Sequence, residues 1–114
     1  MVKNDAVYLR HIGDAIADIK QYTQAGYEDF LARKIVQDAV LRNLEIIGEA
    51  VKNLSPEYRQ KNQEIPWKQM AGLRDILIHH YFGIDLDIVW LVVEKRLPAV
   101  EKHINDTLAR NSSH

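Results

Sequence analysis

Cysteine is absent from this chain of 114 residues, which also contains only three prolines and five glycines. The absence of thiols excludes disulfides, thiolate metal ligands and a cysteine nucleophile, and it suits a reducing compartment. No window approaches the ~18 apolar residues of a membrane-spanning helix, and the N-terminus lacks an apolar signal segment. A net charge of −1 argues against a protein that coats nucleic acid by neutralising many phosphates. We therefore expect a cytoplasmic protein that does not enter a membrane.

Apolar residues recur at helical spacing along nearly the whole chain, which predicts helices rather than strands. We expect helices over residues 4 or 5 to 24, 27–54, a short segment from Ser55, 67–81 and 85–108. Pro98 should kink the last helix because it lacks a backbone donor, and residues 110–114 should fray. The fold class predicted from this pattern is all-α, a single domain over residues 1–114. Its architecture is an up-and-down four-helix bundle with an additional short helix.

Capping residues mark the boundaries of these helices. Asn4 or Asp5 is suited to cap the first helix, and Gly26 to follow its end. Ser55 followed by Pro56 is typical of a new helix start, with a cap and then proline at the first helical position. Asp85 is the expected cap of the last helix.

Five histidines are the most obvious candidate metal ligands: His11, His79, His80, His103 and His114. No two of them lie three or four residues apart, the spacing that brings two ligands together on one helix face. His79 and His80 are adjacent and point about 100° apart on a helix. We expect no metal site and no cofactor, and we expect His11, His103 and His114 on the surface.

The second predicted helix carries a polar stripe, formed by Asp38, Arg42, Glu45, Glu49 and Lys52. Glu45 and Glu49 are one turn apart, so they could form a carboxylate pair for metal binding or acid–base chemistry. The alternative is a solvated face with ion pairs such as Asp38–Arg42, each worth only a few tenths of a kcal/mol. The pattern favours the solvated face.

The third predicted helix combines groups that suit phosphodiester chemistry. Arg74, His79 and Tyr81 occur among apolar residues at 76–78. An arginine binds phosphate through its planar fork, and a histidine exchanges protons near neutral pH. In RNA the neighbouring 2′-hydroxyl can act as the nucleophile, so cleavage needs no metal. Residue types alone do not distinguish this from a purely structural interpretation, in which a histidine lies at the edge of the core and Arg74 and Asp75 form a surface pair.

The spacing of these residues favours a site shared between two chains. Arg74 and Tyr81 are seven residues apart and nearly aligned on a helix, whereas His79 is about 140° away from Arg74. Within one copy, the side chains of Arg74 and His79 therefore do not readily point at the same phosphate. Two copies related by a twofold axis can do so, which predicts a homodimer.

The order Arg74-Asp75-x-x-x-His79-x-Tyr81 resembles the Arg-x4-His-x-Tyr signature of the HepT-like branch of the HEPN superfamily. The resemblance covers nearly the whole chain. It includes residues 38–50, 64–67, 71–74, 81–85, 89–90 and 97–98. One difference is His80, which stands where members of the family often have glycine; a second imidazole there could assist catalysis.

The resemblance implies a dimeric HEPN-like toxin of a type VII-like toxin–antitoxin pair, which cleaves RNA as an endo- or exoribonuclease without metal. Arg74 would hold the phosphate, His79 would act as general acid or base, and Asp75 would orient the site. A partner minimal nucleotidyltransferase, the antitoxin, would add AMP to Tyr81 and thereby repel RNA. The homodimer could assemble further with this partner.

Two other hypotheses stay open from the sequence. The chain could be a non-catalytic helical module that binds nucleotide or RNA and presents it to the nucleotidyltransferase. It could also be a structural dimer in which Arg74 and His79 only stabilise the interface.

Overall fold

A computed structural model describes the backbone of residues 3–79 and 85–112 and the side chains of residues 4–73 and 85–110. Within these residues the chain is helical and contains no strand, which confirms the predicted all-α fold class. The elements are α1 (Lys3–Tyr22), α2 (Tyr27–Ala32), α3 (Lys34–Asn53), α4 (Pro56–Lys61), α5 (Trp67–His79), α6 (Leu86–Leu91), a π-helical turn (Val92–Arg96) and α7 (Leu97–Ser112). None of the helices in this described part is long and apolar enough to cross a membrane.

Four long helical segments form the bundle around one apolar core. Helix α1 packs against α3 and α7, and α3 packs against α5. The buried stripe of α1 has the predicted spacing and comprises Leu9, Ile12, Ile16 and Ile19. Each such aliphatic side chain contributes roughly 1.5–3 kcal/mol when it is removed from water. The core therefore fixes the positions of α3 and α5, which lie beside the candidate site.

The start of the first helix differs from the prediction that Asn4 or Asp5 caps it. Helix α1 already includes Lys3, and Asp5 is a buried residue inside its first turn. The carboxylate of Asp5 accepts hydrogen bonds from Ser55, the residue that caps α4 as predicted. Asp5 thus stabilises the start of a distant helix rather than its own.

The second predicted helix is interrupted at Arg33, so the expectation of one helix over residues 27–54 is wrong. Arg33 adopts an extended conformation with φ −120° and ψ 107°. The side-chain amide of Gln37 donates to the backbone oxygens of Phe30 at 3.0 Å and Leu31 at 3.1 Å. These bonds satisfy backbone carbonyls at the end of α2, so the break in the helix costs little free energy.

The last predicted helix is helical throughout from Leu86 to Ser112, but it contains a π-helical turn at Val92–Arg96 and ends later than expected. Asp85 caps α6, because its carboxylate accepts from the backbone nitrogens of Asp87 at 3.0 Å and Ile88 at 3.4 Å. The π-helical turn then precedes Pro98, which cannot donate to the turn before it. Helix α7 continues to Ser112, so the frayed tail predicted from residue 110 is wrong over the described residues.

Candidate active site

Helix α5 carries the predicted catalytic motif, and its first turn is anchored in the core. The buried Trp67 donates a hydrogen bond of 2.9 Å from Nε1 to the backbone oxygen of Asn62. Met70, almost one turn later, is also buried. Because this turn is anchored, the core sets the direction of the helix axis and hence the backbone positions that follow along α5.

The predicted site residues fall at the end of this helix. The backbone of Arg74, Asp75 and His79 belongs to α5, and His79 is its last described residue. The side chains of these three residues, and the whole of His80 and Tyr81, lie outside the described residues. Positions 74 and 79 of a regular helix are about 140° apart. The backbone of α5 therefore keeps the angular separation of residues 74 and 79 from which a site shared by two copies was predicted. The roles of the individual residues stay predictions.

An apolar cavity of about 230 Å³ opens between α5 and the chain that runs from α6 into α7. Its floor consists of buried aliphatic and thioether side chains: Leu44, Met70, Val89, Val92, Leu97 and Val100. Leu73 lines its wall and is the residue directly before Arg74. The cavity is thus an immediate neighbour of the predicted motif.

The polar rim of this cavity joins α5 to the π-helical turn. The guanidinium Nη1 of Arg96 donates a 2.8 Å hydrogen bond to the side-chain oxygen of Gln69, and both residues are exposed. Neither Arg96 nor Lys68 forms an ion pair with a carboxylate of the described residues. Arg96 on the π-helical turn and Lys68 in the first turn of α5 are thus both cations without an acidic partner in that part of the chain, and Arg96 lines the cavity.

Sequence reasoning missed this rim and the cavity behind it. Arg96 and Gln69 are 27 residues apart, and neither belongs to a recognisable local motif. Arg96 follows Glu94 and Lys95, a charged run that is typical of a solvated helix face. Only the packing of the π-helical turn beside α5 brings the pair together.

A second cavity, of about 300 Å³, lies between α1 and α3 and is lined by part of the polar stripe, Arg42, Glu45 and Glu49. Glu45 and Glu49 both line it, beside Tyr8 and His11. Glu45 is engaged by Arg42, with 3.4 Å between Nη1 and Oε2. No group of three or more metal-ligating side chains is assembled there or elsewhere among the described residues.

The ion pairs along α3 differ from the predicted pair Asp38–Arg42. Asp38 instead accepts from the Nζ of Lys34 at 2.8 Å, and Arg42 pairs with Glu45. Both pairs are solvent-exposed, so each contributes at most a few tenths of a kcal/mol. The solvated character predicted for these residues of the stripe is confirmed, although the partners are different.

The predicted surface position of His103 is wrong. Its side chain is only 10% exposed. The Nε2 atom lies 2.7 Å from the hydroxyl of Tyr58, and Nδ1 lies 3.3 Å from a carboxylate oxygen of Glu64. The ring of Trp67 packs edge-on against the imidazole, with 5.9 Å between centroids. His11 is exposed as predicted, whereas His114 lies outside the described residues.

Burial governs the titration of this cluster. It lowers the pKa of His103 below its ordinary value, with the carboxylate of Glu64 opposing that effect. Burial also raises the pKa of Tyr58. Both groups are therefore neutral at neutral pH, which fits a Tyr58 hydroxyl that donates to an unprotonated Nε2. The cluster joins α4 and α7 to the first turn of α5.

Comparison with known proteins gives a family match over most of the chain. Residues 12–107 match the profile of the family described as "Ribonuclease HepT-like". A protein named "Probable ribonuclease HepT" from Thermococcus cleftensis is 43% identical over 102 residues, which cover 89% of this chain and 93% of that protein. A "Putative RNase" from Caldanaerobacter subterraneus subsp. tengcongensis is 41% identical over 110 residues, covering 96% of this chain and 98% of that protein.

A longer relative matches over part of its length. The "Gamma-glutamylcyclotransferase and putative RNase" of Methanocaldococcus jannaschii is 50% identical over 105 residues. These residues cover 91% of this chain but only 47% of that protein, so the chain spans about half of this relative. No solved structure matches the chain.

Proposed function

The chain belongs to the ribonuclease HepT-like family, and on that premise we propose that it is a metal-independent ribonuclease, the toxin of a toxin–antitoxin pair. The observation that carries the proposal is the family match over residues 12–107, a range that contains both Arg74 and His79. RNase is also the one activity that all three relatives described above have in their names. Two of these relatives are spanned almost end to end by the chain.

The proposed reaction needs one cation and one titratable group. Arg74 binds the scissile phosphate and stabilises the negative charge that develops on its oxygens. His79 removes the proton from the 2′-hydroxyl while water protonates the departing 5′-oxygen, or it protonates that oxygen while water takes the 2′-hydroxyl proton. The 2′-oxygen then forms a bond to phosphorus while the bond from phosphorus to the 5′-oxygen breaks, so this step requires no metal. Asp75 orients these groups.

A dimer is supported by the distribution of exposed apolar side chains. Of seven large hydrophobic residues exposed in the described part of the chain, five lie on α2, at the start of α3, or on α6: Tyr27, Leu31, Ile35, Ile88 and Leu91. Their exposed area is on the order of 500 Å² per copy, so a twofold pairing buries about 1,000 Å² in total, the minimum expected of a specific interface. We call these five residues the apolar face. Ile88 also lines the apolar cavity beside α5, which therefore opens next to this face.

Contacts between Tyr27 and α6 join the parts of the apolar face that lie on α2 and α6. The hydroxyl of Tyr27 donates to the carboxylate of Asp87, and the ring of Trp90 packs against that of Tyr27 with 5.6 Å between centroids. Leu91 lies one turn after Asp87 on the same side of α6. Only six residues separate His79 from the start of α6. Pairing through this face therefore places the two motif helices near the twofold axis.

The regulatory part of the proposal concerns Tyr81 and a second protein. A partner minimal nucleotidyltransferase, the antitoxin, adds AMP to the Tyr81 hydroxyl, and the added phosphate repels RNA from Arg74 and His79. The partner binds the homodimer in a larger hetero-oligomer. Because the substrates are RNA and ATP, we place this activity in the cytoplasm.

Cleavage of RNA in the presence of a chelator tests the proposal. We expect the wild-type chain to cleave, and Arg74→Ala and His79→Ala each to lose about a hundredfold or more in rate. Arg10→Ala and His11→Ala are matched controls, because both residues are exposed on α1 and should leave the rate unchanged. Equal rates for wild type and His79→Ala would contradict the nuclease proposal. Binding without cleavage would instead favour the non-catalytic RNA-binding module.

A further inference from the structure

The apolar cavity beside α5 has no role in the chemistry assigned to Arg74 and His79. It adjoins the motif through Leu73, and its mouth carries the hydrogen-bonded pair of Arg96 and Gln69. Its volume of about 230 Å³ suits one planar ring system. Most drug-sized ligands occupy pockets from about 300 Å³ upwards. The cavity is therefore of the size that a single base of an RNA strand requires.

The lining of the cavity suits both the apolar faces and the polar edge of a base. The floor is aliphatic and buried, which suits the apolar faces of a ring that has left its stack. At the rim, the side-chain oxygen of Gln69 accepts from Arg96, which leaves the amide nitrogen of Gln69 as a donor for the polar edge of a base. Guanidinium planes such as that of Arg96 also stack on bases in RNA-binding proteins.

The positive charge at the mouth of the cavity favours an RNA strand over an apolar protein side chain as the occupant of the cavity. Arg96 is held by a neutral amide and has no carboxylate partner in the described residues. Seven other cationic side chains in this part of the chain are paired with acids: Lys20, Arg33, Lys34, Arg42, Lys61, Lys95 and Lys102. Arg10, Arg59 and Lys68 form no such pair with the described acids either, but none of them lines the cavity. An unneutralised cation at the mouth of a cavity attracts phosphate.

We propose that the cavity and Arg96 form a nucleotide subsite, in which the base of a nucleotide next to the cleaved bond enters the cavity and its phosphate contacts Arg96. The inference rests on the proposed function, because it concerns the RNA strand that Arg74 and His79 cleave. It places that strand along the side of α5 on which the cavity opens. Arg96 is a binding residue in this arrangement and takes no part in proton transfer.

The phosphate contact is tested by binding a non-cleavable 2′-O-methyl RNA oligonucleotide to the full-length chain. We expect Arg96→Gln to weaken binding about tenfold and to reduce the salt dependence by about 0.7, the value for one contact to a single strand. Arg96→Lys should restore most of the salt dependence. Lys95→Gln is the matched control, since Lys95 is paired with Glu94 and does not line the cavity. Equal affinities and salt slopes for Arg96→Gln and Lys95→Gln would overturn the proposal.

The base contact is tested with oligonucleotides that lack one base at a time. We expect one abasic position to weaken binding to wild type about tenfold, within the range for loss of one stacked base. Val92→Met fills the cavity and should abolish this position-specific effect. Val93→Met is its control, because Val93 lines a different cavity near Pro98. Thermal unfolding of both variants shows whether each is folded, and identical abasic profiles for the two folded variants would overturn the proposal.

The two proposals fail in different ways. RNA that binds through Arg96 and the cavity but is never cleaved contradicts the nuclease and supports the subsite. Cleavage by wild type with no effect of Arg96→Gln or Val92→Met contradicts the subsite alone. A change from dimer to monomer in these variants, with RNA affinity unaltered, would show that the cavity receives a side chain of a second copy, and would also overturn the subsite.

Discussion

Asp5 holds Ser55, fifty residues further along the chain, through two hydrogen bonds to its carboxylate. The backbone nitrogen of Ser55 donates at 2.8 Å and its hydroxyl donates at 2.7 Å. The Ser55 hydroxyl in turn accepts from the backbone nitrogen of Tyr58 at 3.1 Å. Since Asp5 is 1% exposed, these bonds replace the water that a carboxylate would otherwise require. The pair therefore connects the start of α1 to the cap of α4.

Replacement of Asp5 should be among the more destabilising polar substitutions in this protein. Asp5→Ala leaves the two Ser55 donors without their acceptor, so we expect a loss of about 2–4 kcal/mol in the free energy of unfolding. Urea denaturation measures this loss. Asp18→Ala is the matched control, because Asp18 is exposed on the same helix and should change stability by less than about 0.5 kcal/mol. Equal stabilities of the two variants would contradict this role of Asp5.

The buried His103 should make the protein less stable in mild acid. Its pKa is lowered by burial in the folded state, so the unfolded chain binds the proton more tightly. The contribution of His103 to stability is therefore complete above pH 6.5, the ordinary pKa of histidine, and is lost as the pH falls from there towards the lowered pKa. Glu64, Asp106 and Arg110 also act on this imidazole and set how far the window extends.

Thermal unfolding at a series of pH values tests this prediction. His103→Gln removes the titrating group and should flatten the curve below about pH 6.5, the ordinary pKa of histidine. His11→Gln is the control, since His11 is exposed and its variant should follow the wild-type curve. A His103→Gln curve as steep as that of wild type would show that other groups cause the acid sensitivity.

A charge in the centre of the apolar face should prevent dimerisation. Leu91 is 54% exposed, so Leu91→Asp should fold normally while placing a carboxylate in the proposed interface. We expect sedimentation to show a dimer for wild type and a monomer for Leu91→Asp at micromolar concentration. Val7→Asp is matched, because Val7 is 40% exposed but lies on α1. A dimeric Leu91→Asp protein, or a monomeric wild type, would rule out this face as the interface.

Mixing two inactive variants tests whether the site is shared between chains. If Arg74 of one copy works with His79 of the other, a heterodimer of Arg74→Ala and His79→Ala keeps one intact site out of two. Equal mixing with free exchange makes half of the dimers hetero, so about a quarter of the wild-type rate should return. Each variant alone should stay inactive. No recovery, with exchange verified by mass spectrometry, would place both groups in one chain.

Modification of Tyr81 is tested by intact mass after incubation with the partner nucleotidyltransferase and ATP. We expect a gain of one AMP per chain and a parallel loss of RNA cleavage, because the added charge repels the phosphate backbone. Tyr81→Phe should gain no mass and keep its activity, while Tyr22→Phe, an exposed tyrosine on α1, should be modified like wild type. Modification of Tyr81→Phe would place the adduct elsewhere.

Local patterns predicted the helices well where one helix buries one face. The apolar spacing of α1 and the Ser55–Pro56 start of α4 were both predicted correctly. The break at Arg33 was not predicted, because apolar residues recur at helical spacing on both sides of it. In the structure Phe30, just before the break, packs against Trp90, whose ring centroid is 5.3 Å away although it lies far along the chain. A helical pattern that continues across such a break contains no local signal for it.

The same limit applies to the site. Arg74 and His79 lie within one helix and match a family motif, so a role for them could be proposed from the sequence, and that role stays a prediction. The contacts of Arg96 with Gln69 and of His103 with Tyr58 join residues 27 and 45 positions apart. Neither partner predicts the other, since each looks like an ordinary polar residue on a helix. Tertiary packing alone determines these contacts.

The π-helical turn between α6 and α7 makes the protein more sensitive to the number of residues in this turn than to their identity. A π turn contains more residues than an α turn, and each residue of a regular helix advances the chain by about 100°. Deleting one residue within Val92–Arg96 would restore a regular helix and rotate α6 by about that angle relative to α7. With α7 held in place by α1, Trp90 would then leave Phe30. Substitutions on the exposed side of this turn should consequently be tolerated, whereas single-residue insertions or deletions should not.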